Sequence, residues 1–253
     1  MPCVSDSAMP WISFDATTSA TVPWRNGGGT TCELLALAAA DGGNGDVRAG
    51  DGAFDARVSL ATIAQPGPFS AFPGIDRQIT LIDGPGVRLT AENGAFDHRL
   101  EQALVPFAFD GGMALDATWA KDSAGSSRAA RVLNVMTRRG RCKATVQIMT
   151  TSHTAREATP LSNRTVALRI VARGMWRVAN SRDDGAIATW TFGQGAYRDS
   201  LRTDALQPDD RTPDSSLADA GLRDAGAFND LCFTPLTSDA ALIAVRITFP
   251  AAP

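Results

Sequence analysis

Hydrophobic and polar residues alternate in short runs along most of this chain. The clearest run is 54–63: Phe54, Ala56, Val58 and Leu60 point one way, while Asp55, Arg57 and Ser59 point the other. A period of two is what a strand presents to its two faces. Residues 31–37, 78–82, 87–90, 166–171, 175–178, 186–192, 230–233 and 241–249 read the same way, and 11–14 reads as a first edge strand. Glycine, proline and aspartate punctuate the runs, as in the tight turn Asp83-Gly84-Pro85-Gly86 and in Asn93-Gly94. Helical periodicity is scarce, with one short helix expected near 216–221. Short strands separated by turn residues predict an all-β barrel or sandwich.

The strand–turn–strand pattern of the first half returns faintly in the second. It suggests two related β-barrel halves, 8–140 and 141–253, with strands shared across an approximate boundary. Residues 42–52 are polar and glycine-rich, hence a loop. Residues 121–128 and 193–226 read as polar insertions, the second too long and structureless for a compact connection.

Composition narrows the function. The 253 residues carry 44% hydrophobic and 20% charged side chains and a formal net charge of −3, ordinary for a globular protein without a basic nucleic-acid footprint. Nearly all cations are arginine, the planar, bidentate anion binder; the lysines are Lys121 and Lys143. Cys3, Cys32, Cys142 and Cys232 are scattered, with no Cys-x-x-Cys pair, so free thiols are expected. No secretory leader or membrane-length apolar run is legible, and a reducing cytoplasm is the expected location.

Polarity then concentrates at Trp24-Arg25-Asn26-Gly27-Gly28-Gly29-Thr30-Thr31. Three successive glycines bury nothing, but they permit positive φ and leave N–H groups open to close approach. A phosphate-cradling loop needs Lys-Ser/Thr and a helix after its glycines, whereas Thr30-Thr31 and a strand follow here. The loop is therefore either a plain hairpin connection or a ligand-facing tip. Arg57 and Ser59 share a strand face that either looks into a barrel lumen or is solvated. Phe69 and Phe72, in a loop stiffened by prolines, either wall a pocket or pin that loop to the core.

Catalytic and metal constellations are weak. His98 and His153 stand far apart and read as surface or strand-end residues, so no transition-metal centre or other cofactor is expected. Ser70 lacks a nucleophile elbow. Cys32 adjoins Glu33, which disfavours a thiolate. Glu33 itself could act as a base, hold a loop N–H or pair with Arg57.

Five motifs in order resemble the HutD/Ves family. They are the tryptophan–glycine loop just quoted, Phe54-Asp55-Ala56-Arg57-Val58-Ser59, and Gly67-Pro68-Phe69-Ser70-Ala71-Phe72-Pro73-Gly74-Ile75-Asp76-Arg77. Pro106-Phe107-Ala108-Phe109-Asp110-Gly111 and Leu133-Asn134-Val135-Met136-Thr137-Arg138-Arg139-Gly140 complete the set. The resemblance covers roughly 11–140 and implies a bicupin, two antiparallel β-barrels in one chain, often paired as a homodimer. It implies a cytosolic accessory protein that restrains histidine utilisation by binding a small acidic intermediate such as N-formylglutamate, without catalysis. Two positions depart from the family pattern: Ala56 stands where a tryptophan is usual, and Val132 where an aspartate is usual.

Together these readings nominate Trp24, Arg25, Asn26, Gly27, Gly28, Glu33, Arg57, Ser59, Phe69, Ser70, Phe72 and Asn134 as ligand-binding residues, with no catalytic or metal-ligating residue. Arg57 would grip a carboxylate, the glycine loop would bind oxygens and the phenylalanines would exclude water. The alternative is a metal-independent isomerase or hydrolase of a small carboxylic acid on the same scaffold. A partner-binding module with an empty barrel is a third reading.

Overall fold

The computed structural model describes residues 11–37, 54–92, 94–120, 129–155, 163–180, 186–200 and 231–250. Among them are nineteen strands and no helix. In chain order they are β1 (Ile12–Asp15), β2 (Thr21–Pro23), β3 (Gly29–Leu37), β4 (Ala56–Ile63), β5 (Gly67–Phe69), β6 (Ile75–Asp83), β7 (Val87–Thr90), β8 (Asp97–Leu100), β9 (Pro106–Asp110) and β10 (Leu115–Trp119). The rest are β11 (Ala130–Arg138), β12 (Lys143–Met149), β13 (His153–Ala155), β14 (Thr165–Arg173), β15 (Trp176–Asn180), β16 (Ala186–Trp190), β17 (Gln194–Asp199), β18 (Leu231–Pro235) and β19 (Ala241–Thr248). Within the described residues, every alternating run named above overlaps one of these strands.

The chain divides into two compact units, residues 20–146 and residues 1–19 with 147–253. In the first, a six-stranded sheet runs β2-β3-β4-β11-β6-β9 and a four-stranded sheet runs β5-β10-β7-β8. The apolar inward positions Ala61, Ile63, Ile79, Leu81 and Val132 meet Val87, Leu89, Leu115 and Ala117 in one buried cluster. Both faces of β11 are buried, since Leu133 and Val135 on its other face are as hidden as Val132.

The second unit pairs a five-stranded sheet, β1-β17-β14-β19-β12, with a four-stranded sheet, β13-β18-β15-β16. Its core gathers Trp11, Trp176, Trp190 and Phe233 with Val171, Val178, Leu231 and Leu242. The described sheets are open at their edges rather than closed into barrels.

The expected insertion at 193–226 needs correction at its start. Gln194–Asp199 is β17, lodged between β1 and β14. Its polar letters disguise a strand that only glycine allows to pack so closely: a Cβ on Gly195 would lie 2.2 Å from the Arg169 carbonyl oxygen and 2.6 Å from the Phe14 ring. The remainder of that stretch from residue 201, the loop at 42–52 and the insertion at 121–128 lie outside the described residues.

Candidate functional site

The site is built by strand register in the 20–146 unit. One cross-strand row aligns Glu33, Ser59, Asn134, Ile79 and Phe107; the next aligns Ala36, Arg57, Met136, Arg77 and Phe109. Directly paired residues share a face, so these side chains point together, toward the same interior as Ala61, Leu81 and Val132. A bulge between Glu33 and Leu35 lets Glu33 and Ala36 look the same way despite their odd spacing. The interior is therefore apolar at one end and carries two guanidiniums at the other.

Arg57 Nε donates to Glu33 Oε2 at 2.8 Å, with both side chains largely covered. Ser59 is buried beside them. Arg77 is more deeply placed. Its Nε and Nη2 both donate to Asn134 Oδ1, at 3.1 and 2.9 Å, and its Nη1 reaches the Ser70 carbonyl oxygen at 3.4 Å. The guanidinium lies 4.1 Å from the Phe69 ring centre, 5.6 Å from Phe109 and 6.0 Å from Phe72, all within cation–π range. Burial, and after it the nearby Arg57 charge, push its pKa down to about 9.

None of these Arg77 partners is a carboxylate. Two cations thus face one interior with Glu33 as the anion bonded there. A buried cation held only by a carboxamide and a carbonyl is under-compensated. The site can accept one more negative charge.

The structure brings Glu33, Arg57, Ser59, Phe69, Ser70, Phe72 and Asn134 together and adds Arg77, which the sequence reading quoted in a motif but did not nominate. Parity could have found it, because Arg77 alternates with Ile75 and Ile79, both buried. Ser70 contributes its carbonyl rather than its hydroxyl.

The tryptophan–glycine loop is not beside Arg57, contrary to expectation. Gly29 pairs with Ile63, six residues along β4 from Arg57, roughly 20 Å of extended strand. Arg25, Asn26 and Gly27 are exposed. The loop donors are internally used: Gly27 N–H donates to Trp24 O, and Gly28 N–H donates to Asn26 Oδ1. Asn26 Nδ2 ties the loop to Pro68 O, and Trp24 Nε1 donates to Thr31 Oγ1 at 2.8 Å. Gly29 is required sterically, since a Cβ there would lie 2.2 Å from Thr62 O. The loop is a self-bonded hairpin tip whose Trp24 packs edge-on against Phe69, and through Phe69 it braces one wall of the site.

The two departures from the family pattern are also placed. Ala56 is fully buried on the face opposite Arg57, and Val132 is fully buried in the apolar cluster. Neighbouring Arg131 instead pairs with Asp83 near the surface. Neither change touches the two guanidiniums.

The histidines are less ordinary than they read. His98 stacks on Phe107 with ring centres 3.4 Å apart, and His153 stacks on Phe233 at 5.0 Å. Burial lowers the pKa of each. Among the described residues, no group of three His, Cys, Asp or Glu side chains is placed to hold a metal.

The HutD family model matches residues 16–203. The chain belongs to the HutD family. Within that family it is 39% identical over 125 residues to Protein Ves of Citrobacter koseri, covering 49% of this chain and 56% of that protein. To Protein Ves of Escherichia fergusonii it is 31% identical over 166 residues, covering 64% and 75%. The first match thus spans little more than half of its relative's length. The fold resembles that of HutD from Pseudomonas fluorescens (TM-score 0.59, 19% identity, 93% of this chain and 97% of that one). It also resembles a conserved protein of unknown function from Pseudomonas aeruginosa (TM-score 0.63, 20% identity, 94% and 98%). The Arg57, Arg77 and Asn134 positions all lie in the span that the HutD model matches.

Proposed function

We propose that this HutD-family chain is a non-catalytic binder of a small acidic molecule, with Arg57 and Arg77 as the anion-holding pair. The observation that carries this reading is the burial of Arg77 against a carboxamide and a carbonyl, without a carboxylate among its bonded partners. A ligand carboxylate would supply the missing charge in the planar geometry a guanidinium prefers. Ser59 and Asn134 offer hydrogen bonds to a neighbouring amide, and Phe69, Phe72 and Phe109 keep water away. Each half acts as a cupin-type scaffold, which makes the chain a bicupin.

A dicarboxylate with an amide suits two cations separated by such groups. N-formylglutamate has that chemistry, and its capture would couple the protein to histidine utilisation as a restraint on the pathway. The test is a thermal-shift and calorimetric screen of N-formylglutamate, formiminoglutamate, urocanate and glutamate. Binding to the native state alone adds about 2.7 kcal/mol at a hundredfold excess over Kd. We expect N-formylglutamate to give the largest shift; no shift with any of these acids removes the reading.

A further inference from the structure

The other unit buries polar atoms that its own chain does not satisfy. Trp11 Nε1, Trp176 Nε1 and His153 Nε2 are all shielded from solvent and have no hydrogen-bond partner. Trp176 is fully buried and Trp11 only 7% exposed. Such atoms are rare in folded proteins, and each one calls for a water, an ion or a guest.

These atoms belong to one contiguous group. His153, on β13, stands 6.2 Å from the Trp176 ring on β15. It also lies close enough to Arg169 to feel its charge. Arg169 projects from β14 between Ala167 and Val171, into the same cluster as the tryptophans. Its guanidinium lies 5.9 Å from the Trp11 ring, and that of Arg198 lies 5.4 Å from the same ring. Ala167 aligns with Arg198 and Arg246 across the sheet, which puts both on this face too. Asp15, also on this face, has its carboxylate bonded to Thr17 and Gln194. The walls are apolar: Trp190, Phe233, Val178 and Leu242.

The donor pattern narrows the guest. His153 Nδ1 lies 3.4 Å from the Thr151 carbonyl oxygen. A carbonyl only accepts, so the neutral ring carries its proton on Nδ1 and offers Nε2 as an acceptor. Two indole N–H groups, with a cation beside them, therefore ask for oxygen, while one imidazole nitrogen asks for a proton. A carboxyl group meets both requests, with two oxygens in one plane and one acidic proton. Bare carboxylate with imidazolium, or carboxylic acid with neutral imidazole, has the same proton count.

We propose that the interior bounded by Trp11, His153, Arg169 and Trp176 is a second binding site, for a small monocarboxylic acid taken up together with one proton. It shares no residue with the Arg57–Arg77 site. Acetate is the probe. The chain has five tryptophans, so a 1H–15N spectrum of the full protein in the Arg77→Met background resolves each indole N–H, assigned by single Trp→Phe changes. Acetate should move the Trp11 and Trp176 resonances and leave that of Trp24, already bonded to Thr31, in place; chloride at the same ionic strength should move none.

Affinity should fall about tenfold between about pH 6 and 7 and again to about pH 8, as expected for one proton taken up. Trp176→Phe, which keeps an aromatic ring but loses the N–H, should weaken acetate about tenfold. Unmoved Trp11 and Trp176 resonances, or affinity independent of pH, overturn the proposal. So does a crystal grown in acetate with water alone between the two indoles. The wild-type spectrum decides the matter even if a variant fails to fold, and failure of the Arg57–Arg77 site leaves this result untouched.

Discussion

The two units carry arginine into their interiors and treat it in opposite ways. In the 20–146 unit the neighbouring strands supply polar company: Glu33 from β3 for Arg57, and Asn134 from β11 for Arg77. In the other unit the Arg169 guanidinium lies 5.9 Å from the Trp11 ring, and nearby indole and imidazole nitrogens lack protein partners. One architecture thus yields an interior whose cations are bonded to polar side chains and another whose indole and imidazole nitrogens are not bonded. The difference lies in a few cross-strand neighbours, not in strand count or layering. Register decides which residues are neighbours, so register decides what each interior can hold.

The largest expected effect attacks the Arg57–Arg77 interior. Arg77→Met should lower affinity for N-formylglutamate by about a hundredfold or more, because truncating a buried charged contact is among the costliest changes to an interface. Combined with Asn134→Leu, it should melt no lower than wild type, since exchanging a poorly compensated buried charge and its partner for apolar volume is often neutral or stabilising. Calorimetry paired with a melting curve reads both; retained affinity would show the 20–146 interior to be structural. Adding Asn134→Leu removes the carbonyl that the single variant leaves without donors.

Arg57→Ala should weaken the same acid by about tenfold to a hundredfold, the value of a hydrogen bond to a charged group. Arg57→Lys should restore part of it, since an ammonium lacks the planar fork. Equal binding by wild type and Arg57→Ala would confine Arg57 to its Glu33 pair.

Trp24→Phe measures what a satisfied indole contributes. It loses the bond to Thr31 and should cost about 1 kcal/mol in urea unfolding, with acid binding shifted little because the loop touches the site only through Phe69. An unchanged unfolding midpoint would leave the loop without a bracing role.

The smallest effect concerns pH. Burial holds the folded-state pKa of His153 below its ordinary value, so its contribution to stability is present above about pH 6.5 and is lost as pH falls through the folded pKa. His153→Gln should flatten that acid limb in melts taken from about pH 7.5 to 5. His98, less covered though also lowered, should show a weaker version. Equal flattening by the two variants would erase the contrast between the units at this residue.

Much of this was legible in the sequence. Period-two alternation located ten of the nineteen described strands, β11 not among them, and left the Arg57/Ser59 face open between lumen and solvent. The Glu33–Arg57 pair was one of three roles open to Glu33. Arg77 escaped because it sits between Asp76 and Gln78, where a charged letter reads as surface; only pairing with Met136 on β11 and Phe109 on β9 shows what covers it. The glycine loop misled in the other direction. Its bare N–H groups suggest a ligand, yet Asn26 and Trp24 consume them locally, a use invisible until the turn geometry is known. His153 is surface-like by composition, because the residue that stacks on it, Phe233, is remote in sequence.

The edge strand β1 has a consequence for the order of events after synthesis. It pairs with β17, Ile12 against Tyr197 and Asp15 against Gln194, whereas the 20–146 unit is continuous in sequence. A growing chain can therefore complete the Arg57–Arg77 interior while the sheet carrying Arg169 still waits for its partner strands. Pairings across such long loops form late. Pulse-labelled hydrogen exchange during refolding should protect β4, β6 and β11 before β14 and β17, and simultaneous protection would contradict that order. The Arg57–Arg77 interior would then be complete on the nascent chain, with the second interior assembled last.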